Sequence, residues 1–109
     1  MLTRELAVTK AALTHEWRDN LIYGSQIELL RTLNAAPVGL GGAAIEPLYA
    51  KAAADWSIVY KNYPFQAWLD FLITGGLVHR QEDRFLISVL GRDYLSYLVA
   101  TGRTGFRAF

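Results

Sequence analysis

Phe71-Leu72-Ile73-Thr74-Gly75-Gly76-Leu77-Val78-His79-Arg80-Gln81-Glu82-Asp83-Arg84-Phe85-Leu86-Ile87-Ser88 is the stretch that decides the fold. An apolar helical run enters it and stops at two glycines, where a left-handed residue ends the helix at little steric cost. The next residues alternate as a strand, turn at Glu82-Asp83 and alternate again, so Leu77 to Gln81 is expected to pair with Arg84 to Ile87. Ser88 has the position and chemistry of a helix N-cap. Helix, hairpin, helix in that order places the segment in the mainly α class with a small β-hairpin.

On a helical wheel of Phe65 to Thr74, Phe65, Trp68, Leu69 and Leu72 share one side, while Gln66, Asp70 and Thr74 recur every four residues on the other. The result is an amphipathic helix with a narrow polar strip. Downstream, Leu90, Tyr94, Leu95 and Leu98 form the buried face of a last helix that Gly102 terminates. Upstream, Asp55 to Tyr63 reads as one or two helical turns plus a connector. A helix over about Ala43 to Ala54 carries Pro47 in its first turn, with Ile45, Leu48 and Tyr49 as its bulk. Val38-Gly39-Leu40 is a short extended candidate. Ser25 and Glu28 have capping-box spacing for a helix that buries Ile27, Leu29, Leu30 and Leu33 and ends near Leu33, before Pro37. Leu6, Leu13, Trp17 and Leu21 mark one apolar stripe on a helix from about Arg4 to Tyr23.

The chain of 109 residues suits a single domain. Its hydrophobic content of 52% against 19% charged residues is high, and a homodimer that hides part of the surface is the simplest expectation. A formal net charge of +1 is far from that of a domain coated for phosphate, so any nucleic-acid contact must be local. With no cysteine there is neither disulfide nor thiol catalysis, which fits a reducing, cytoplasmic setting. Arg4, Glu5 and Lys10 interrupt any signal-peptide core, and Pro37 with Gly39, Gly41 and Gly42 breaks the longest uncharged run, so no membrane span is expected. Internal repeats and low-complexity tracts are absent.

Taken in series, a helix at Ser25 to Leu33, a strand at Val38 to Leu40, two more helices and a hairpin around Glu82-Asp83 resemble the winged helix-turn-helix superfamily over roughly Ser25 to Leu98. Phe71 to Val78 is similar to the end of a recognition helix running into the first wing strand of many bacterial regulators. Leu86 to Leu95 is similar to their second wing strand entering a closing helix. The resemblance implies a winged helix-turn-helix with an extra N-terminal helix, divided as an amphipathic dimerisation element at 1–24, the winged-helix domain at 25–102 and a tail at 103–109.

The resemblance further implies a DNA-binding transcriptional regulator acting on double-stranded DNA, with Phe65 to Thr74 in the major groove. Gln66 and Asn62 are then the base readers, and Lys61, Arg80 and Arg84 the phosphate contacts. Two features oppose it: no Lys or Arg occurs from Asn62 through His79, and Asp70, Glu82 and Asp83 would repel phosphates. The rival is a winged helix that docks another protein through Gln66, Asp70 and Phe71. Seven aromatic residues from Tyr49 to Phe71 read chiefly as core, with Tyr63 and Phe71 as the exposed exceptions. His15 and Asp19 are two potential ligands without a third, His79 has no positioned acid beside it, and Gly39-Leu40-Gly41-Gly42 lacks the lysine of a phosphate loop. Neither an enzyme nor a cofactor is expected.

Overall fold

The computed structural model describes residues 22–102 and residue 109. The elements run α1 (Gly24–Asn34), β1 (Leu40–Gly41), α2 (Gly42–Asp55), α3 (Ser57–Tyr60), α4 (Phe65–Thr74), β2 (Val78–Gln81), β3 (Arg84–Ile87) and α5 (Val89–Ala100). The described chain is thus mainly helical, with a small antiparallel sheet in the order β1-β3-β2. The apolar stripe expected before residue 22, the His15 and Asp19 pair within it and most of the 103–109 tail lie outside the described residues. No helix among the described residues is long and apolar enough to cross a membrane.

The start of α1 departs from the expected capping box. Tyr23, not Ser25, is the extended residue that precedes the helix. The side chain that reaches back is Gln26, whose Oε1 accepts the Tyr23 amide at 2.8 Å. Ser25 is thereby released to meet aromatic neighbours, and Glu28 lies on the exposed side, 3.5 Å from Arg31. β1 is also shifted from the expected Val38 to Leu40: Gly39 sits at φ +80°, which kinks the chain, and pairing begins only at Leu40 opposite Phe85. Pro47 lies in the second turn of α2, not the first. It forfeits one bond to the Ala43 carbonyl, and both residues are exposed, so water can serve that carbonyl.

The deciding stretch folds as its residues dictate. Gly76 takes φ +77°, its amide bonds the Ile73 carbonyl, and the Leu77 amide bonds the Leu72 carbonyl at 2.9 Å, a complete Schellman ending for α4. Val78 to Gln81 then pairs with Ile87 to Arg84 around the two-residue turn Glu82-Asp83. Ser88 donates to the Gly76 carbonyl and accepts the Gly91 amide at 2.9 Å, so a single hydroxyl ties the end of α4 to the start of α5. Leu29, Leu30 and Leu33 of α1, Ile45 of α2, Trp68, Leu69 and Leu72 of α4, and Tyr94 and Leu98 of α5 close one core over Leu77, Val78 and Ile87. That core presses α4 inward along its apolar side and leaves Gln66, Asp70 and Thr74 exposed.

Glu82 occupies the first central position of the hairpin turn at φ 58°, where a Cβ is unfavourable. The mirror-image turns that match strand twist require this conformation. Glu82→Gly is expected to stabilise the domain by about 1 kcal/mol, the left-handed cost less the entropy that glycine loses on folding. Urea denaturation measures it, and a loss of stability would show that Glu82 contributes something beyond the turn.

Candidate nucleic-acid interface

The base of α4 is seated by a polar network inside an aromatic wall. Gln26 is wholly buried, and both of its amide hydrogens are used: Nε2 donates to the Tyr63 hydroxyl at 3.0 Å and to the Trp68 carbonyl at 2.9 Å. The Trp68 indole Nε1 donates to Ser25 Oγ at 2.9 Å, Ser25 Oγ lies 2.6 Å from the Tyr60 hydroxyl, and Tyr60 donates to the Phe109 carbonyl at 2.7 Å. An indole only donates and a carbonyl only accepts, so the chain has one direction, with Ser25 as donor to Tyr60. Tyr49 spans the wall from α2 and donates to the Tyr63 carbonyl at 2.6 Å. Phe109 packs edge-on against Tyr23 and Trp56, with ring centroids 5.4 and 5.1 Å apart.

Tyr63 and Phe71 are therefore not the exposed exceptions; both pack against the core, and Tyr63 is tied from two sides. Burial raises the hydroxyl pKa of Tyr60 and of Tyr63 above the ordinary 10.0, with the Ser25 and Gln26 hydrogen bonds opposing the rise. A group harder to ionise when folded favours the native state below its unfolded pKa, and that contribution is lost as the pH climbs past it. The contribution of these two hydroxyls is thus expected to be constant up to about pH 10 and to fall above it. Denaturation at stepped alkaline pH checks this, and the double variant Tyr60→Phe with Tyr63→Phe should lose part of the slope.

Outside this wall lie the five residues expected to touch nucleic acid, all exposed. Lys61 and Asn62 occupy the turn between α3 and α4, just before the first turn of α4 that carries Gln66. Gln66 is not free: its Nε2 donates to Asp70 Oδ1 at 2.8 Å. Arg80 is folded back, its Nε donating to the Glu82 carbonyl at 2.8 Å and its guanidinium 5.8 Å from the Phe85 ring centroid. Arg84 Nη1 donates to the Gly39 carbonyl at 3.2 Å, which fastens the hairpin to the loop before β1. Arg80 lies opposite Phe85, and Arg84 opposite Gln81. Side chains alternate across a strand, so the two arginines project from opposite faces of the hairpin and do not form one flat patch. Hairpin and helix are nevertheless joined, because α4 packs against β2.

Two contributors escaped the sequence reading. Gln26 is not among the residues singled out from the sequence, and its one signal is an amide beside an otherwise apolar helix face. Asp70 is read there as a repulsive charge or a docking residue and not as a partner of Gln66, although the spacing of four from Gln66 already permits an amide to carboxylate bond. Elsewhere, a groove of about 570 Å³ runs between Asn34 and the α5 residues Arg92, Leu95, Ser96 and Val99. It brings together no pair of groups suited to acid and base or nucleophilic chemistry. Among the described residues, no cluster of three or more His, Asp or Glu is placed to hold a metal ion. Comparison of the chain with protein-family models, with curated proteins and with solved structures finds no match.

Proposed function

We propose that this chain is a winged-helix protein that binds double-stranded DNA and serves as a transcriptional regulator, with α4 in the major groove and the β2-β3 hairpin as the wing. The observation that carries the reading is the exposed polar edge of α4, rigidly backed by Trp68 and Gln26 and set between Lys61 at one end and the paired hairpin at the other. A ribbon with one arginine on each face suits insertion into a groove, where phosphates line both walls, better than docking onto a flat surface. Gln66 and Asn62 are the proposed base readers, and Lys61, Arg80 and Arg84 the backbone contacts. A homodimer would present two such helices to successive grooves.

Three phosphate contacts per chain give a slope of about −2.7 in log affinity against log salt, an affinity loss of about 40-fold between 50 and 200 mM salt. Fluorescence anisotropy with mixed-sequence duplex DNA measures this, and light scattering measures the mass. Arg80→Ala combined with Arg84→Ala should remove about two thirds of the slope. No binding at low salt would end the regulator reading, and a monomeric mass would end the dimer.

A second reading has its own support. Asp70, Glu82 and Asp83 offset Lys61, Arg80 and Arg84, which leaves α4, its preceding turn and the hairpin together without an excess of positive charge and suits a protein partner. Under that reading Gln66→Ala weakens capture of the partner, and salt has little effect.

A further inference from the structure

We infer that Gln66 and Asp70 act as one preset reading unit, selective for base edges that offer an amino group and set against guanine. The inference rests on the DNA-binding reading and specifies which bases the same face of α4 takes.

The argument begins with the proton inventory. A glutamine amide has two N–H donors and one carbonyl acceptor, whereas an ionised aspartate only accepts. The 2.8 Å contact therefore turns the Gln66 nitrogen toward Asp70, because the amide oxygen would be repelled there. One N–H is spent on Asp70 Oδ1, and among the described residues neither side chain has another hydrogen-bond partner. What remains to face a ligand is one N–H and the oxygen Oε1 from Gln66, together with the acceptor capacity of Asp70.

Adenine offers an N7 acceptor beside an N6 amino donor in the major groove, which matches one donor beside one acceptor. Cytosine offers its N4 amino group, which matches the carboxylate. Guanine offers two acceptors, N7 and O6. The unit has a single free donor, and its carboxylate repels both guanine atoms. No lysine or arginine stands on α4 to reverse that preference. The carboxylate that looks like an obstacle to phosphate thus becomes a filter against guanine, while Lys61 and the hairpin arginines supply the attraction to the backbone.

Asp70→Asn should invert the filter, since an asparagine can donate to Gln66 Oε1 and release both Gln66 hydrogens toward acceptor-rich bases. Both residues are exposed, so folding should be intact, and circular dichroism confirms that in each variant. The test selects bound sequences from a randomised duplex pool with the full wild-type chain, with Asp70→Asn and with Gln66→Ala. Wild type should enrich adenine at one position and adenine or cytosine beside it. Replacing that adenine by purine, which lacks only the amino group, should weaken binding about tenfold. Gln66→Ala should flatten the adenine preference at an unchanged salt slope, and Asp70→Asn should admit guanine or thymine at the neighbouring position. Salt-dependent binding with one consensus for all three proteins would overturn the inference and leave the DNA-binding reading standing. No binding by wild type at low salt would overturn both.

Discussion

Gly91→Ala is expected to destabilise the domain by about 2–3 kcal/mol, although alanine is the better helix former by about 1 kcal/mol. The reason is the approach of α5 to the end of α4. A Cβ at residue 91 would run into the Leu77 carbonyl oxygen and stand 2.7 Å from Ile87 Cγ1. Neither can yield: the Leu77 carbonyl accepts the Ser88 amide at 3.0 Å, and Ile87 is a buried member of the paired strand β3. Gly42→Ala supplies the control, because nothing lies within 4 Å of a Cβ there and its backbone is helical. That change should be neutral or stabilise by up to about 1 kcal/mol. Urea denaturation of both variants decides the matter, and a Gly91→Ala protein as stable as wild type would mean that α5 does not sit on Leu77.

The second large effect is expected at Gln26. Gln26→Met keeps nearly the same volume but removes an acceptor and two donors from a position with no solvent access. The Tyr23 amide loses its partner, and the Trp68 carbonyl and the Tyr63 hydroxyl each lose a donor. With each unsatisfied group costing about 1–3 kcal/mol, and methionine recovering part of that by packing, the net loss should be about 2–4 kcal/mol. The variant also uncouples α1 from the start of α4. If DNA is the ligand, affinity should drop by more than the unfolded fraction accounts for, as read by anisotropy beside a thermal melt. Equal stability in wild type and Gln26→Met would show the buried amide to be dispensable.

Much of this architecture was legible from local chemistry. Gly75-Gly76, Glu82-Asp83 and Ser88 each impose a backbone event that depends on few distant residues, and α4, the hairpin turn and the cap of α5 form where those residues require. The polar strip of α4 was likewise legible, because a four-residue spacing fixes which side chains share a face. Legibility ended where long-range contacts decide. The N-terminus of α1 moved because Ser25 is worth more to Trp68 and Tyr60, 43 and 35 residues away, than to the amides beside it. β1 slipped past Val38 because Gly39 lies under Leu86 and the Phe85 carbonyl, neighbours that only the folded hairpin supplies. At the candidate interface, Lys61, Asn62, Gln66, Arg80 and Arg84 are all exposed. The partners of Gln66, Arg80 and Arg84 do not follow from composition, since each depends on a side chain or carbonyl brought close by the turn or helix geometry.

The one-way run of donors from Trp68 through Ser25 and Tyr60 to Phe109 bears on how many ways this domain can settle. Flat rings slide over one another at little cost, so a wall made only of hydrocarbon would admit several seatings of similar area. Directional bonds admit only the seating in which every proton finds its lone pair. The hydroxyl of Ser25 thus works as an index pin: it sets the angle at which α4 leaves the body, and with it the heading of every side chain along that helix's outer rim.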